Sequence, residues 1–444
     1  MSLDARDLAA RLPPGFLLGA ATSSYQIEGA FDADGKGQSI WDRFCRVSGA
    51  IRNGDTGEVA CDHYHRFRED VALMAGLGLD AYRFSVSWPR VLPAGTGAAS
   101  SAGLDFYDRL VDALVERGIR PFVTLYHWDL PQALQERGGW GSREVVGWFA
   151  DYAALVAGRL GDRVSDWITL NEPEVVAFAG HAHGRHAPGL RDWPLALRAA
   201  HHLLLAHRAA AEALWATSRA CSVGVALDIN PYRAASGSAA DAEAARRLND
   251  HLHGWFLDPL FGRGYPEAMV AWYGELLPAS LAEEIESYDG ALDFLGVNYY
   301  TARFAKAASG GLLRFEKVVP PARAGSYPED LLGLLVRLAD EYGPSRIYVT
   351  ENGLGLAGEA PAPDGHVEDT ERVRYLAGHL EAVAEAIVRG APLLGYFAWS
   401  LLDNFEWAEG FAKRFGLVHV DYPTQRRTPK ASARWYQQVA RARR

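Results

Sequence analysis

Short apolar runs rich in β-branched and aromatic residues recur eight times along this 444-residue chain, with stretches of helical periodicity between them. The runs fall at Leu17–Thr22, Ala81–Val86, Phe122–Leu125, Trp167–Leu170, Ser222–Leu227, Phe294–Val297, Ile347–Thr350 and Tyr396–Trp399. Tyr64, Phe67, Val71 and Met74 keep a 3.6-residue spacing, and so do Leu104, Tyr107, Val111 and Leu114, which end at Gly118. Strands alternating with helices require parallel pairing, because a crossover helix returns the chain to the same edge. Eight such units predict an α/β fold, a closed (β/α)₈ TIM barrel spanning residues 1–444 as a single domain. A doubly wound open sheet is the alternative. Against it, no Gly-x-Gly-x-x-Gly follows the first strand and no phosphate-binding P-loop occurs. The Pro/Gly/Ser-rich pieces Pro93–Gly103 and Gly355–Gly365 are short enough to be loops within the barrel.

Charge and cysteine usage narrow the partners. The net charge is −10 and no basic stripe is present, which argues against nucleic acid and against anionic membranes. No apolar run reaches the roughly 18 residues needed to span a bilayer. Cys45, Cys61 and Cys221 are scattered and form no Cys-x-x-Cys pair, so a reducing cytoplasm is the simplest reading. The N-terminal stretch carries Asp4, Arg6, Asp7 and Arg11 and reads as no secretory signal. The 13 Trp residues are partly core, but a flat indole also suits the C–H face of a sugar ring.

The informative residues lie at and just past the strand ends. Gln26, Arg83, His127, Asn171 with Glu172, Asn298 with Tyr300, and Glu351 all occupy such positions, and Glu406 comes after the eighth run. In a barrel these side chains converge on the C-terminal face, where active sites form. Two of the motifs end in Glu. Thr169–Pro173 delivers Asn171-Glu172 and then Pro173, which stops the ladder; Ile347–Gly353 delivers Glu351 and then an Asn-Gly turn. Taken singly, Glu172 also reads as a helix cap and Glu351, less readily, as a solvated turn residue. Taken together, carboxylates on strands four and seven face each other across the mouth. Glycosidic cleavage needs one carboxyl to protonate the leaving oxygen and a second to meet the oxocarbenium-like carbon.

The ordered motifs resemble glycoside hydrolase family 1 over essentially the whole chain. They are Phe16–Gly29, Tyr82-Arg83-Phe84-Ser85, Tyr126–Pro131, Asn171-Glu172-Pro173, Val297–Thr301, Glu351-Asn352-Gly353, Trp399–Trp407 and Lys413-Arg414-Phe415-Gly416. The resemblance implies a retaining β-glycosidase with no metal or cofactor, acting on a small-molecule β-glycoside. It implies Glu351 as nucleophile and Glu172 as acid/base, with Arg83, Asn298 and Tyr300 supporting them. Asn171 then holds the sugar 2-hydroxyl. Gln26, His127, Trp128, Glu406, Trp407 and Phe415 read the rest of the sugar, and Trp399 is its aromatic floor. Retention predicts carboxyl groups about 5–5.5 Å apart.

The implied activity is exo-acting, on terminal β-D-glucosyl residues of oligosaccharides or aryl and alkyl glucosides. β-Galactosidase or β-fucosidase activity, 6-phospho-β-glycosidase activity and a non-catalytic sugar-binding barrel are the alternatives. The Glu406-Trp407 pair disfavours a 6-phosphate, and the retention of both Glu residues disfavours a non-catalytic barrel. Two positions depart from the family pattern. Leu18 replaces a frequent aromatic residue and reads as core. Glu174 stands where many members have Trp, beside the leaving group, which leaves aglycone preference open. Among the histidines, His183 reads as a wall of that side, and the stretch His181, His183, His186 lacks metal-ligand spacing. The terminal Arg441, Arg443 and Arg444 read as a solvated end.

Overall fold

A computed structural model describes residues 4–217, 220–278, 281, 290, 292–318 and 326–444. Eight strands close into a parallel barrel. They are β1 (Leu17–Ala21), β2 (Ala81–Ser85), β3 (Arg120–Tyr126), β4 (Asp166–Asn171), β5 (Ser222–Asp228), β6 (Phe294–Asn298), β7 (Ile347–Asn352) and β8 (Leu393–Trp399). Each pairs with its neighbours in chain order, and β8 closes on β1 with Ala21 opposite Trp399. The eight predicted runs are therefore the eight barrel strands. Their ends differ by a few residues: β3, β4 and β8 begin earlier than their apolar runs. Arg120 and Asp166 open β3 and β4 as a charged pair, with Arg120 donating to both Asp166 oxygens.

The barrel interior is filled by rings set against small residues. Phe122, Phe294, Tyr348 and Phe397 pack with Ala21, Ala81, Ile168 and Ala226, every one buried. This is the layered filling a barrel of this size requires. Space for the rings comes from small neighbours: a Cβ at Gly19 would lie 2.6 Å from the Phe397 ring. Leu18 is fully buried in the shell outside the barrel, as its reading as core requires.

Helices His63–Leu77 and Ser101–Val115 carry the two predicted apolar stripes. The second starts inside the stretch read as the loop Pro93–Gly103, because Ser100 caps it by accepting from the Gly103 N–H. Two features exceed the eight-unit plan. A small three-stranded sheet forms from Tyr232–Ala234, Arg303–Ala307 and Phe315–Val318, and a hairpin pairs Val418–Asp421 with Arg426–Pro429 after β8. Their alternation is too short to distinguish from loop.

Of the terminal arginines expected to be solvated, Arg441 and Arg444 are exposed, whereas Arg443 is not. Helix Ala431–Ala442 packs on the barrel, with Tyr436 donating to the Gly19 carbonyl. Arg443 lies 3.3 Å from Asp80 with its side chain largely covered. Amphipathic helical spacing, not the terminal charge, decides that outcome. Among the described residues, no helix is long and apolar enough to cross a membrane.

Candidate active site

The C-terminal ends of the strands carry the predicted residues, and a continuous hydrogen-bond chain links most of them. Arg83 leaves β2 fully buried. It donates from Nη1 to Glu351 Oε1 at 2.6 Å, from Nη2 to Asn171 Oδ1 at 2.6 Å, and from Nε to Thr124 at 3.1 Å. Tyr300, two residues beyond β6, donates its hydroxyl to the other Glu351 oxygen at 2.6 Å. Asn298 is the register partner of Glu351 and donates from Nδ2 to Glu172 Oε1 at 2.8 Å and to Asn171 Oδ1 at 3.0 Å. Thr350 fixes that amide by donating to Asn298 Oδ1 at 2.7 Å.

Backbone geometry aims the two carboxyls. The Glu172 N–H still donates to the Ala226 carbonyl, so the ladder runs one step past β4. Glu172 then turns left-handed, with φ 48°. Trp128 (φ 79°) and Trp407 (φ 53°) do the same. Non-glycine residues held there cost on the order of 1–3 kcal/mol each, and such strain gathers at working sites. After Glu351, Gly353 passes so close to β8 that a Cβ would meet the Trp399 carbonyl oxygen at 1.8 Å. Only glycine allows that turn. Glu172 is 6% and Glu351 3% exposed, which excludes the solvated-turn reading of Glu351. The helix-cap reading of Glu172 fails as well, since its carboxyl meets the Asn298 amide.

The two carboxyls sit in unequal fields. Burial pushes Glu351 up, but the Arg83 guanidinium and the Tyr300 hydroxyl pull it back. Burial pushes Glu172 well above the usual carboxylate range, the Glu351 charge adds to this, and only the Asn298 amide opposes. Glu351 is therefore the carboxyl that ionises first.

Around this pair lies an aromatic box. His127 stacks between Trp399 (5.8 Å) and Trp407 (5.9 Å), and Trp128 packs on Trp407 at 4.6 Å. Phe415 meets the Tyr300 ring edge-on at 5.9 Å. Trp128 is anchored through its indole N–H to the Asn171 carbonyl at 2.9 Å. Burial and Arg83 push the His127 pKa well down, so the ring is neutral. Its Nε2 lies 3.1 Å from Asn171 Nδ2 and accepts, which leaves an N–H at Nδ1 with no hydrogen-bond partner among the described residues. Glu406 Oε2 is likewise without one. Burial pushes the Glu406 carboxyl up to about 8, against the pull of Lys413.

Gln26, which the resemblance places among the sugar-reading residues, is held by protein contacts on both ends of its amide. Its Nε2 donates to Asn404 Oδ1 (3.0 Å) and the Phe405 carbonyl (2.9 Å), and its Oε1 accepts from Ser23. Only the remaining lone pair of Oε1 is open, because the loop before Glu406 closes on the amide.

His183 sits past the π-helical segment Val175–Ala182 and packs edge-on against Trp193 at 5.3 Å. His181 bonds the Val176 carbonyl and His186 packs on Trp128, so the three histidines turn to different partners. The sequence reading missed Asp228, at the end of β5 and the register partner of Asn298. The signal was present, since Asp228 comes directly after the fifth apolar run just as the other site residues come after theirs.

The model of the family described as Glycosyl hydrolase family 1 matches residues 8–444. Beta-glucosidase A of Thermotoga maritima is 46% identical over 437 residues, covering 97% of this chain and 98% of the relative. The 1,4-beta-D-glucan glucohydrolase of Thermotoga neapolitana is 44% identical over 435 residues, at 97% and 98% coverage. The solved structure of beta-glucosidase from Thermotoga maritima in complex with glucoimidazole superposes with a TM-score of 0.94 at 45% identity, covering 97% of this chain and 99% of that one. A closed barrel with paired buried carboxyls at its mouth, matched end to end by these relatives, makes this chain a member of glycosyl hydrolase family 1.

Proposed function

We propose that the chain is a retaining exo-β-glycosidase that releases terminal β-D-glucosyl residues from oligosaccharides or from aryl and alkyl glucosides. The observation that carries this reading is the asymmetry of the two carboxyls. Glu351 is gripped by Arg83 and Tyr300, whereas Glu172 is held by a neutral amide.

Ionised Glu351 attacks the anomeric carbon as the bond to the leaving oxygen breaks, and the Glu172 proton passes to that oxygen. Esterification removes the Glu351 charge, so Glu172, now ionised, takes a proton from water. The hydroxide formed displaces Glu351 and restores both groups. The register pairing of Glu351 with Asn298, which bonds Glu172, supports the close carboxyl spacing that retention needs. The free hydrogen-bonding capacity of His127 and Glu406, with one donor left on Asn171, supports hydroxyl recognition over a floor of Trp399 and Phe415.

The names of the relatives support glucose as the terminal sugar. Helix Ala431–Ala442 packed back on β1 supports residues 1–444 as a single catalytic domain. Three buried cysteines without a disulfide support a cytoplasmic enzyme.

The test replaces Glu351 by Ala. Turnover of p-nitrophenyl β-glucoside is expected to fall to near zero, and azide is expected to restore it as the α-glucosyl azide. A variant as active as its parent overturns the mechanism. A substrate panel ranked by kcat/KM decides the sugar, and better hydrolysis of a galactoside, a fucoside or a 6-phosphoglucoside overturns the glucose assignment.

A further inference from the structure

One hydroxyl beside the proposed nucleophile has no part in the chemistry described so far. Thr350, on β7 one residue before Glu351, is fully buried and donates to Asn298 Oδ1 at 2.7 Å. Gly296 of β6 leaves room for its side chain. A Cβ there would lie 2.9 Å from Thr350 Cγ2 and 3.0 Å from Oγ1.

The direction of this hydrogen bond is set at the far end of the chain it terminates. A guanidinium has donors only, so an oxygen of Asn171 must face Arg83 Nη2. Asn298 can approach that oxygen only with its amide nitrogen. Asn298 Nδ2 accordingly bridges Asn171 Oδ1 at 3.0 Å and Glu172 Oε1 at 2.8 Å. Its Oδ1 is left to Thr350, whose hydroxyl must donate. An N–H donor against Glu172 Oε1 favours the carbonyl form of that oxygen. The acid proton then sits on Oε2, which has no hydrogen-bond partner among the described residues.

Given the acid/base role of Glu172, we propose that Thr350 is a positioning residue for the Glu172 proton. By locking the Asn298 amide it keeps Nδ2 on Oε1 and leaves the proton on Oε2, free for the leaving oxygen. Without the hydroxyl, Asn298 Oδ1 is a buried carbonyl that has lost its donor, which is costly. Turning the amide out of its present plane relieves that cost but withdraws Nδ2 from Glu172. The carboxyl then has no group that fixes which oxygen carries the proton, and transfer to the leaving oxygen loses its geometry.

Leaving-group dependence separates this role from simple packing. On the full chain, kcat/KM is measured for 2,4-dinitrophenyl β-glucoside, whose leaving group departs with little protonation, and for an alkyl β-glucoside, whose leaving group needs it. Thr350→Val keeps the β-branched shape without the hydroxyl. It is expected to lose about tenfold or more on the alkyl glucoside and to stay within about threefold on the dinitrophenyl glucoside. Thr350→Ser restores the donor and should recover most of the alkyl activity. Equal losses on both substrates overturn the proposal, as does no loss on either or a serine variant as poor as the valine one. If Thr350→Val does not fold, Asn298→Ala removes the amide itself and should give the same selective loss; a uniform loss there is equally fatal. Glu172→Gln checks the underlying role separately. It should lose far more on the alkyl than on the dinitrophenyl substrate, and a uniform loss sinks the acid/base assignment. A selective loss in Glu172→Gln with none in Thr350→Val rejects the role of Thr350 alone.

Discussion

Arg83 donates to Glu351 Oε1 across 2.6 Å, and both side chains are almost wholly buried. The second arm of the guanidinium reaches Asn171, so one cation orients both Glu351 and the residue next to Glu172. Lysine supplies the charge without the planar fork. Arg83→Lys is expected to cut kcat/KM on p-nitrophenyl β-glucoside by about 10²–10³-fold, the rate equivalent of about 3–4 kcal/mol. Steady-state kinetics on folded variant protein check this.

The pH dependence comes from the signs of the two shifts. In the proposed mechanism Glu351 works ionised and Glu172 protonated, so activity is expected to be lost as pH falls through the Glu351 pKa. Because the Glu172 pKa is raised, activity should persist above the ordinary carboxylate range and be lost as pH rises through the raised value. A bell-shaped kcat/KM profile is expected, its limbs belonging to the coupled pair. Trapping Glu351 as a 2-deoxy-2-fluoroglucosyl ester removes its charge. The Glu172 titration should then move down, read by carbon NMR of labelled glutamate. A titration that stays in place contradicts the assigned coupling.

Glu406 Oε2 is buried with no hydrogen-bond partner among the described residues. Sugar hydroxyls bonded to it gain roughly 1.5–3 kcal/mol each where the carboxylate is charged. Glu406→Ala is expected to lower kcat/KM for a glucoside by about 10²-fold, with Glu406→Gln intermediate. Because these bonds strengthen as the ring flattens, kcat should fall along with the rise in KM. A change in KM alone would reduce Glu406 to a ground-state contact.

Away from the chemistry, Lys430 is fully buried between Glu359 and Asp403, at 2.7 Å from each. Arg372 and Arg414 complete the network, which ties the loop after β7 to the segment after β8. Lys430→Met strands carboxylates in the interior and is expected to cost about 3–5 kcal/mol. The urea midpoint of the variant measures it, since an unchanged slope assigns the loss to the folded state.

Much of this protein is legible in one dimension. Eight β-branched runs separated by helical spacing are a local property of the chain, and they imply eight parallel strands before any contact is known. The polar residues just past those runs identify the mouth, because side chains at strand ends have nowhere else to converge. Glu172 and Glu351 are found that way, as are Asn171 and Asn298, whereas Arg83 lies inside its own run and strand.

Local patterns end where partners are distant in sequence. That Arg83 spans Asn171 and Glu351, that Gln26 spends its amide on the loop before Glu406, and that Glu174 accepts from the Asp228 N–H are consequences of barrel closure. The burial that divides the labour of the two Glu residues is likewise a property of the closed site. Desolvation and charge act through space, so residue types and spacing determined which groups meet, and only the folded barrel decided what each does to its neighbour's proton.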